Sequence, residues 1–313
     1  IARQQEIKAT LYIMLLQKRE ENAITLAATA NNGRIIEEPM PAGIVSPQGK
    51  KIYMITFVIG IGIPLGIIFL LNLLRFRIEG HTDVEKLTKV PIIGDIPLTG
   101  SNKHEESAIA VREDDNDIMT ETFRSLRTNL LFMMGDPDKK VVLVTSTISG
   151  EGKTFIASNL ALSLALLGKK VILVGLDIRK PGLNKLFHLS HKEKGITQYL
   201  VAPKSTDLHA LIQPSGITSN LDLLLGGPIP PNPTELLARQ SLEDTISTLR
   251  KEYDYIVLDT APIGMVTDTL ILSRVADASI YVCRADYTHK TDYQLINELQ
   301  EHHRLPNLCT VVN

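Results

Sequence analysis

The sequence has few cysteines and no excess of charge of either sign. Its 313 residues include two cysteines, Cys283 and Cys309, and neither has Cys or His neighbours at metal-ligand spacing. Neither a disulfide framework nor a zinc site is therefore indicated, and a reducing compartment is expected. Lys and Arg total 33 against 35 for Asp and Glu, a net charge of −2. No overall positive field favours a nucleic-acid partner, so we expect none.

The length and composition indicate a folded chain of about two domains, because hydrophobic residues make up 44% and charged residues 22%. The chain begins at Ile1 without a methionine and stops at Asn313, inside an apolar run typical of a strand. We therefore expect a fragment of a longer protein, truncated at both ends.

One uncharged apolar run, over residues 52–74, is long enough to cross a membrane. As a helix, it would span roughly 34 Å at about 1.5 Å per residue. A buried core helix is the alternative, although core helices are usually shorter and seldom apolar on every face. We predict a transmembrane helix over residues 50–77. The flanking charges are too balanced to orient it; they are Lys50, Lys51, Arg75 and Arg77.

The regions that flank this segment differ in character. Residues 1–27 are polar and helix-prone, typical of the end of a longer helix or coiled coil. Prolines 39, 41 and 47 then predict an extended connector that ends the first region, residues 1–49. After the span, an acidic and polar stretch around residues 105–117 predicts a juxtamembrane linker over residues 78–117. The last domain is expected over residues 118–313.

From residue 140 onward, short apolar runs alternate with helical segments. The apolar runs read VVLVTS, VILVGLD, LDLLLG, YIVLD, SIYVCR and LCTVV. Apolar strands that alternate with helices imply right-handed crossovers and a mostly parallel sheet covered on both faces. The predicted fold class is therefore α/β.

The first of these strands runs directly into a glycine-bearing turn followed by a helical segment. Residues 147–154, TISGEGKT, resemble a phosphate-binding loop, the P-loop, although Thr147 stands where the strict pattern requires glycine. Backbone N–H groups of such a turn converge on a phosphate, and the helix dipole favours the anion. Lys153 would reach the β- and γ-phosphates, and the Thr154 hydroxyl would hold Mg²⁺.

Two acids end other apolar strands of the predicted sheet. Asp177 follows VILVGL, and Asp259 ends YIVLD. Ligands of open parallel sheets bind beyond the carboxyl ends of the strands, so two acids there suit metal-assisted phosphoryl transfer. An isolated Asp at such a position is more often a helix cap or a turn residue. Arg179 could neutralise a transferring phosphate or simply pair with a surface acid.

Four segments together carry a family resemblance: SGEGKT, LDIRKP, YIVLDTAPIG and GGPIPPNPTELL. The chain resembles the bacterial tyrosine kinases of capsule and exopolysaccharide export, which belong to the ParA/MinD-like P-loop ATPases. The part before residue 77 resembles the C-terminal end of a polysaccharide co-polymerase, and the remainder resembles the fused cytoplasmic kinase.

The resemblance assigns roles to residues of this sequence. It implies Lys153, Asp177 and Asp259 as catalytic residues, and Thr154, Asp177 and Asp259 as Mg²⁺ ligands. The ATP-binding set is Ser149, Gly150, Glu151, Gly152, Lys153, Thr154 and Arg179.

The resemblance also bears on assembly and on the catalytic acid. It implies that Glu121, Arg124 and Arg127 dock on a neighbouring subunit of a ring; the alternative is a helix stabilised by Glu121 and Arg124 at i,i+3 spacing. Gly175 departs from the family pattern, since it replaces the first acid of an Asp-x-Asp pair. Asp177 is then the acid left to orient a tyrosine hydroxyl.

The expected activity is ATP-dependent tyrosine phosphorylation in trans, which regulates polysaccharide polymerisation and export. The acceptors would be tyrosine-rich tails of neighbouring subunits, expected to follow Asn313, while Tyr293 is expected to be a packing or surface residue. Because ATP is cytosolic, the last domain would face the cytoplasm and the first region the periplasm or exterior. The alternatives are an ATPase switch without tyrosine transfer and a scaffold that only binds nucleotide.

Overall fold

The computed structural model describes residues 2–29, 47–73, 76–97, 109–112, 117–189 and 194–313. These fall into two compact units, Ile1–Leu71 and Asn72–Asn313. The predicted connector prolines at 39 and 41, the flanking Arg75 and most of the acidic stretch at 105–117 lie outside the described residues.

The first unit holds two long helices, α1 (Ala2–Ala28) and most of α2 (Gly49–Leu73). The side chains described in α1 are all exposed, as its polar composition predicts. Within the described part of the chain, one helix is long and apolar enough to cross a membrane, over the 22 residues Gly49–Leu70 of α2. None of its apolar surface is covered by the rest of the protein, because that window is 0% buried. A water-facing helix of this kind would expose far more apolar surface than soluble proteins tolerate.

The second unit is built on an eight-stranded sheet with the order β1-β8-β7-β2-β6-β3-β5-β4. All neighbouring strands are parallel except β4 and β5, which are antiparallel. The strands are β1 (Ile92–Asp95), β2 (Val141–Ser146), β3 (Val171–Gly175), β4 (Ile212–Pro214), β5 (Leu221–Leu224), β6 (Tyr255–Asp259), β7 (Ala278–Cys283) and β8 (Leu308–Val312).

Ten helices of the described residues accompany this sheet. They are α3 (His81–Leu87), α4 (Ile118–Met134), α5 (Lys153–Ala165), α6 (Leu183–Leu186), α7 (Ile196–Val201), α8 (Pro233–Leu237), α9 (Gln240–Glu252), α10 (Asp268–Leu272), α11 (Lys290–Tyr293) and α12 (Leu295–Glu301). Short 3₁₀ turns cover His209–Leu211 and Ser273–Val275.

The central strands are apolar on both faces because helices cover both. Alternate side chains of β2 point to opposite layers, as the period of a strand requires. Val142 and Val144 belong to the core that includes α4 and α5, whereas Val141 and Leu143 belong to the core that includes α7, α9 and α10. The predicted α/β class, with a mostly parallel sheet and helices on both faces, is confirmed.

The linker predicted over residues 78–117 is wrong for its first part. Ile78 and Val84 are fully buried, and β1 pairs in parallel with β8 at the edge of the sheet. Further along, the Asn159 side-chain oxygen on α5 accepts hydrogen bonds from the N–H groups of Ala110 and Val111. The prediction relied on polar composition and passed over a four-residue strand between two prolines.

Candidate nucleotide-binding site

The P-loop joins the end of β2 to the start of α5, as predicted. Gly150 and Gly152 adopt φ angles of 93° and 97°, in the left-handed region that favours glycine. The segment that follows β6 holds the start of the loop, because the N–H groups of Ile263 and Gly264 donate to the carbonyl oxygens of Ser146 and Thr147. The loop conformation is therefore set by its own glycines and by this neighbouring segment.

Thr147 has a structural reason to replace the expected glycine. Its side chain is buried, and its hydroxyl lies 2.9 Å from the hydroxyl of Tyr281 on β7. Tyr281 is fully buried and packs edge to face against Tyr293, which confirms the latter as a packing residue. A threonine here satisfies a buried phenol, which glycine would leave without this partner.

Lys153 and Asp177 form a nearly buried ion pair at the carboxyl edge of the sheet. The Lys153 Nζ lies 3.2 Å from Asp177 Oδ2, with side-chain exposures of 10% and 6%. Asp177 is oriented further by the Lys180 N–H, which donates to Asp177 Oδ1 at 3.0 Å. Its own N–H donates to the Asp259 carbonyl oxygen at 2.9 Å, so the ends of β3 and β6 are joined.

Thr154 and Asp259 meet beside this ion pair. The Thr154 hydroxyl donates to Asp259 Oδ2 at 2.9 Å. Burial raises the pKa of Asp259 to about 7; Lys153 and the Thr154 hydrogen bond oppose this rise, and the Asp177 charge adds to it. Two acids, one hydroxyl and one ammonium group thus converge where the three strands end.

This donor set fits a magnesium nucleotide. Carboxylate and hydroxyl oxygens are ligands that Mg²⁺ accepts, and it normally completes its shell with water and substrate phosphate oxygens. Successive N–H groups of a glycine-bearing turn that leads into a helix can converge on a phosphate.

Arg179 is held by a buried acid. Its guanidinium makes a bidentate contact with Asp268, Nε to Oδ2 at 2.6 Å and Nη2 to Oδ1 at 3.0 Å, and also donates to the Thr234 hydroxyl. One prediction from the sequence paired Arg179 with a surface acid. The partner, Asp268, is an acid, but it is buried, with 1% of its surface exposed. Burial alone would raise the pKa of Asp268, but the hydrogen bonds from Arg179 and Thr234 outweigh it and lower the pKa.

The Glu151 side chain supports the loop from inside. Its carboxylate accepts hydrogen bonds from the Ile148 N–H, at 2.7 Å, and from the Thr288 hydroxyl. Burial raises the pKa of Glu151, and these hydrogen bonds oppose the rise. A role for Glu151 toward a nucleotide therefore falls to its backbone N–H.

Three further residues at the loop were not predicted from the sequence. Tyr287, Arg284 and Asn313 donate side-chain hydrogen bonds to the carbonyl oxygens of Ser149, Gly150 and Glu151. The partners lie between 134 and 162 residues apart in the chain. No local pattern could have found them.

The three residues predicted for assembly lie on α4 but differ in their contacts. Glu121 and Arg124 pair with each other at the surface, as the i,i+3 alternative predicts. Arg127 instead donates to the Ser163 carbonyl oxygen and so ties α4 to α5. Glu121 and Arg124 remain available to a partner subunit, whereas Arg127 has a role within its own chain.

Comparisons with known proteins identify the family of this chain. The family described as AAA domain matches residues 139–307. The curated relative "Tyrosine-protein kinase wzc" of Salmonella typhi is 28% identical over 91% of this chain, and "Putative tyrosine-protein kinase EpsB" of Ralstonia nicotianae is 30% identical over the same share. These matches cover 41% and 39% of the two relatives, so the chain spans about two fifths of their length.

Solved structures show the same relationship. The kinase domain of the Escherichia coli tyrosine kinase ETK superposes with a TM-score of 0.65 at 26% identity, covering 74% of this chain and 92% of that domain. The chimerical protein CapA2B2 gives 0.65 at 31% identity and covers 75% of this chain and 98% of its own. The chain belongs to the AAA-domain family and, within it, to the bacterial tyrosine kinases.

Proposed function

We propose that the second unit is an ATP-dependent protein-tyrosine kinase that transfers the γ-phosphoryl group of ATP to tyrosine. One observation carries this proposal: Lys153, Thr154, Asp177 and Asp259 converge at the end of a P-loop in a chain of the tyrosine-kinase family. Phosphoryl transfer requires mainly positioning and charge neutralisation, and these four groups supply both.

Each group has a distinct proposed role. The N–H groups of the P-loop, from Ser149 to Thr154, bind the phosphates, and the Lys153 ammonium neutralises the β- and γ-phosphates. Thr154, Asp177 and Asp259 hold Mg²⁺, which when bound offsets the negative charge of the phosphates. Arg179 is oriented by its ion pair with Asp268 and would donate its remaining N–H groups to the nucleotide.

Lys153 must change partner when nucleotide binds. Its ammonium group is paired with Asp177 in the structure. A phosphate that attracts Lys153 releases one oxygen of Asp177, which can then orient the tyrosine hydroxyl and accept its proton while the carboxylate remains among the Mg²⁺ ligands. Gly175 leaves no second acid for this task, so Asp177 bears it alone. Nucleotide would therefore bind before the acceptor tyrosine.

The setting of the kinase is proposed from α2 and from the family resemblance. The apolar helix α2 anchors the chain in the cytoplasmic membrane. The second unit would face the cytoplasm, where ATP is available, and α1 would face the periplasm or exterior. Glu121 and Arg124 contact neighbouring subunits of a homo-oligomeric ring. Assembly into the ring would bring the tyrosine-rich tail of one subunit to the kinase site of the next. Phosphorylation would then regulate the machinery of capsule or exopolysaccharide polymerisation and export.

A second candidate function is an ATPase switch without tyrosine transfer, which the missing acid at Gly175 favours. The test uses the full chain in detergent micelles with ATP, Mg²⁺ and a tyrosine-rich peptide. Phosphotyrosine is measured by mass spectrometry and ADP by chromatography. Lys153→Met removes the ammonium group, and Lys251→Met on α9, at an exposed position, is the matched control.

The outcomes separate the candidates. The kinase proposal expects phosphotyrosine in the wild type and the Lys251→Met protein and none in the Lys153→Met protein. Formation of ADP without phosphotyrosine would refute the kinase proposal and favour the ATPase switch. Nucleotide binding with neither product would leave only a scaffold.

A further inference from the structure

Three successive carbonyl oxygens of the P-loop each accept a hydrogen bond from a side chain beyond β7 or β8. Tyr287 Oη donates to Ser149 O at 3.0 Å, and Arg284 Nη1 donates to Gly150 O at 3.1 Å. Asn313 Nδ2 donates to Glu151 O at 2.9 Å. We propose that Arg284, Tyr287 and Asn313, here called the carbonyl clamp, are positioning residues that aim the P-loop N–H groups at a bound phosphate.

The argument rests on the geometry of the peptide bond. In a trans peptide the C=O of one residue and the N–H of the next point in opposite directions. Holding the carbonyl oxygens of Ser149, Gly150 and Glu151 toward the clamp therefore turns the N–H groups of residues 150, 151 and 152 away from it. These N–H groups belong to the turn that would receive the phosphate.

The clamp also accounts for the two glycines of the loop. A Cβ atom at Gly150 would lie 2.8 Å from Tyr287 Oη, and one at Gly152 would lie 2.1 Å from Asn313 Nδ2. The clamp side chains thus occupy the space that larger residues would need. A side chain at either position would have to displace a clamp residue, and the positive φ favours glycine as well.

Backbone hydrogen bonds between the ends of β7 and β8 support the clamp. The Ala285 N–H donates to Asn313 O, and the Asn313 N–H donates to Cys283 O, both at 2.8 Å. The Arg284 guanidinium lies over the Tyr287 ring, 5.4 Å from its centroid. A donor fixed before the ligand arrives costs little further ordering on binding, which is what a positioning group requires.

The test is the Tyr287→Phe variant of the full chain in detergent micelles, which removes one donor and keeps the ring. Affinities for Mg·ATP and for magnesium pyrophosphate are measured by titration calorimetry. The second probe has phosphates but no nucleoside. Loss of one hydrogen bond predicts that both affinities fall by about fivefold and by the same factor. Asn313→Ala is expected to lower both affinities in the same way. Tyr199→Phe on α7 is the matched control and should leave both affinities unchanged.

Two results would overturn the proposal. If the ATP affinity fell while pyrophosphate bound as tightly as before, Tyr287 would contact the nucleoside and would not position the loop. If neither affinity changed, the hydrogen bond would have no bearing on phosphate. The thermal unfolding midpoint, expected to fall by no more than about 4 °C, separates positioning from a general loss of structure. The inference rests on the proposed nucleotide binding but not on tyrosine transfer, so a failed phosphotyrosine assay leaves this test intact.

Discussion

Asp259 should make the nucleotide-free protein less stable as the pH rises toward neutrality. Its pKa is about 7 in the folded protein because the carboxyl is fully buried, against an ordinary value of 3.8. Between these two values the folded chain holds a proton that the unfolded chain has released. The free energy of unfolding therefore falls as the pH rises through this window, and the loss is complete above about pH 7.

The size of the effect follows from the two pKa values. They differ by roughly three, and each pH unit is worth about 1.4 kcal/mol, so the ionised Asp259 costs about 4 kcal/mol at pH 8. Asp259→Asn keeps the shape and an acceptor for the Thr154 hydroxyl but carries no charge. The variant should gain stability relative to the wild type by about 4 kcal/mol between pH 4 and pH 8.

The assay is urea unfolding of the full chain in detergent micelles at several pH values. Circular dichroism is the suitable signal because the chain has no tryptophan. Asp277→Asn is the matched control: burial raises the pKa of Asp277, but hydrogen bonds led by that from Arg250 outweigh it and lower the pKa. Its effect on stability should therefore be constant between pH 5 and pH 8. A flat difference curve for Asp259→Asn would refute the reasoning.

Two further predictions concern contacts outside the nucleotide site. Arg127→Ala should lower the free energy of unfolding by about 1 kcal/mol because it removes the hydrogen bond to the Ser163 carbonyl oxygen. Arg124→Ala should change that free energy by no more than about 0.5 kcal/mol and should reduce the oligomer size measured by analytical ultracentrifugation. An equal loss of stability in both variants would contradict this prediction. Asp268→Asn should cost about 2 kcal/mol, since it weakens charged hydrogen bonds from Arg179, and chemical unfolding identical to that of the wild type would contradict it.

The parts of the fold that the sequence predicted are those with local signals. The strands β2, β3 and β6 are mostly apolar, and the P-loop has glycines, a lysine and a threonine at fixed spacing. The predicted meeting of Asp177 and Asp259 followed from the rule that parallel strands end at one edge. These elements could be read without knowing which strands are neighbours.

The parts that the sequence did not predict depend on long-range contacts. β1 is four residues long and becomes a strand only because β8 offers an unpaired edge. The Asp268 partner of Arg179 is 89 residues away, and nothing in the surrounding sequence distinguishes it from a helix-capping acid. The polar composition around residues 78–97 favoured a linker, but apolar residues that lie among the charges, such as Ile78 and Val84, are buried and make this segment part of the folded unit.

The strand order explains why the P-loop has two kinds of neighbour. Because β2 lies between β6 and β7 in the sheet, the loop that follows it is approached from both sides. The ends of β6 and β3 supply the carboxylates Asp259 and Asp177, while side chains beyond β7 and β8 donate hydrogen bonds to the loop's carbonyl oxygens. The central position of β2 therefore lets one loop be held from one side and perform chemistry on the other.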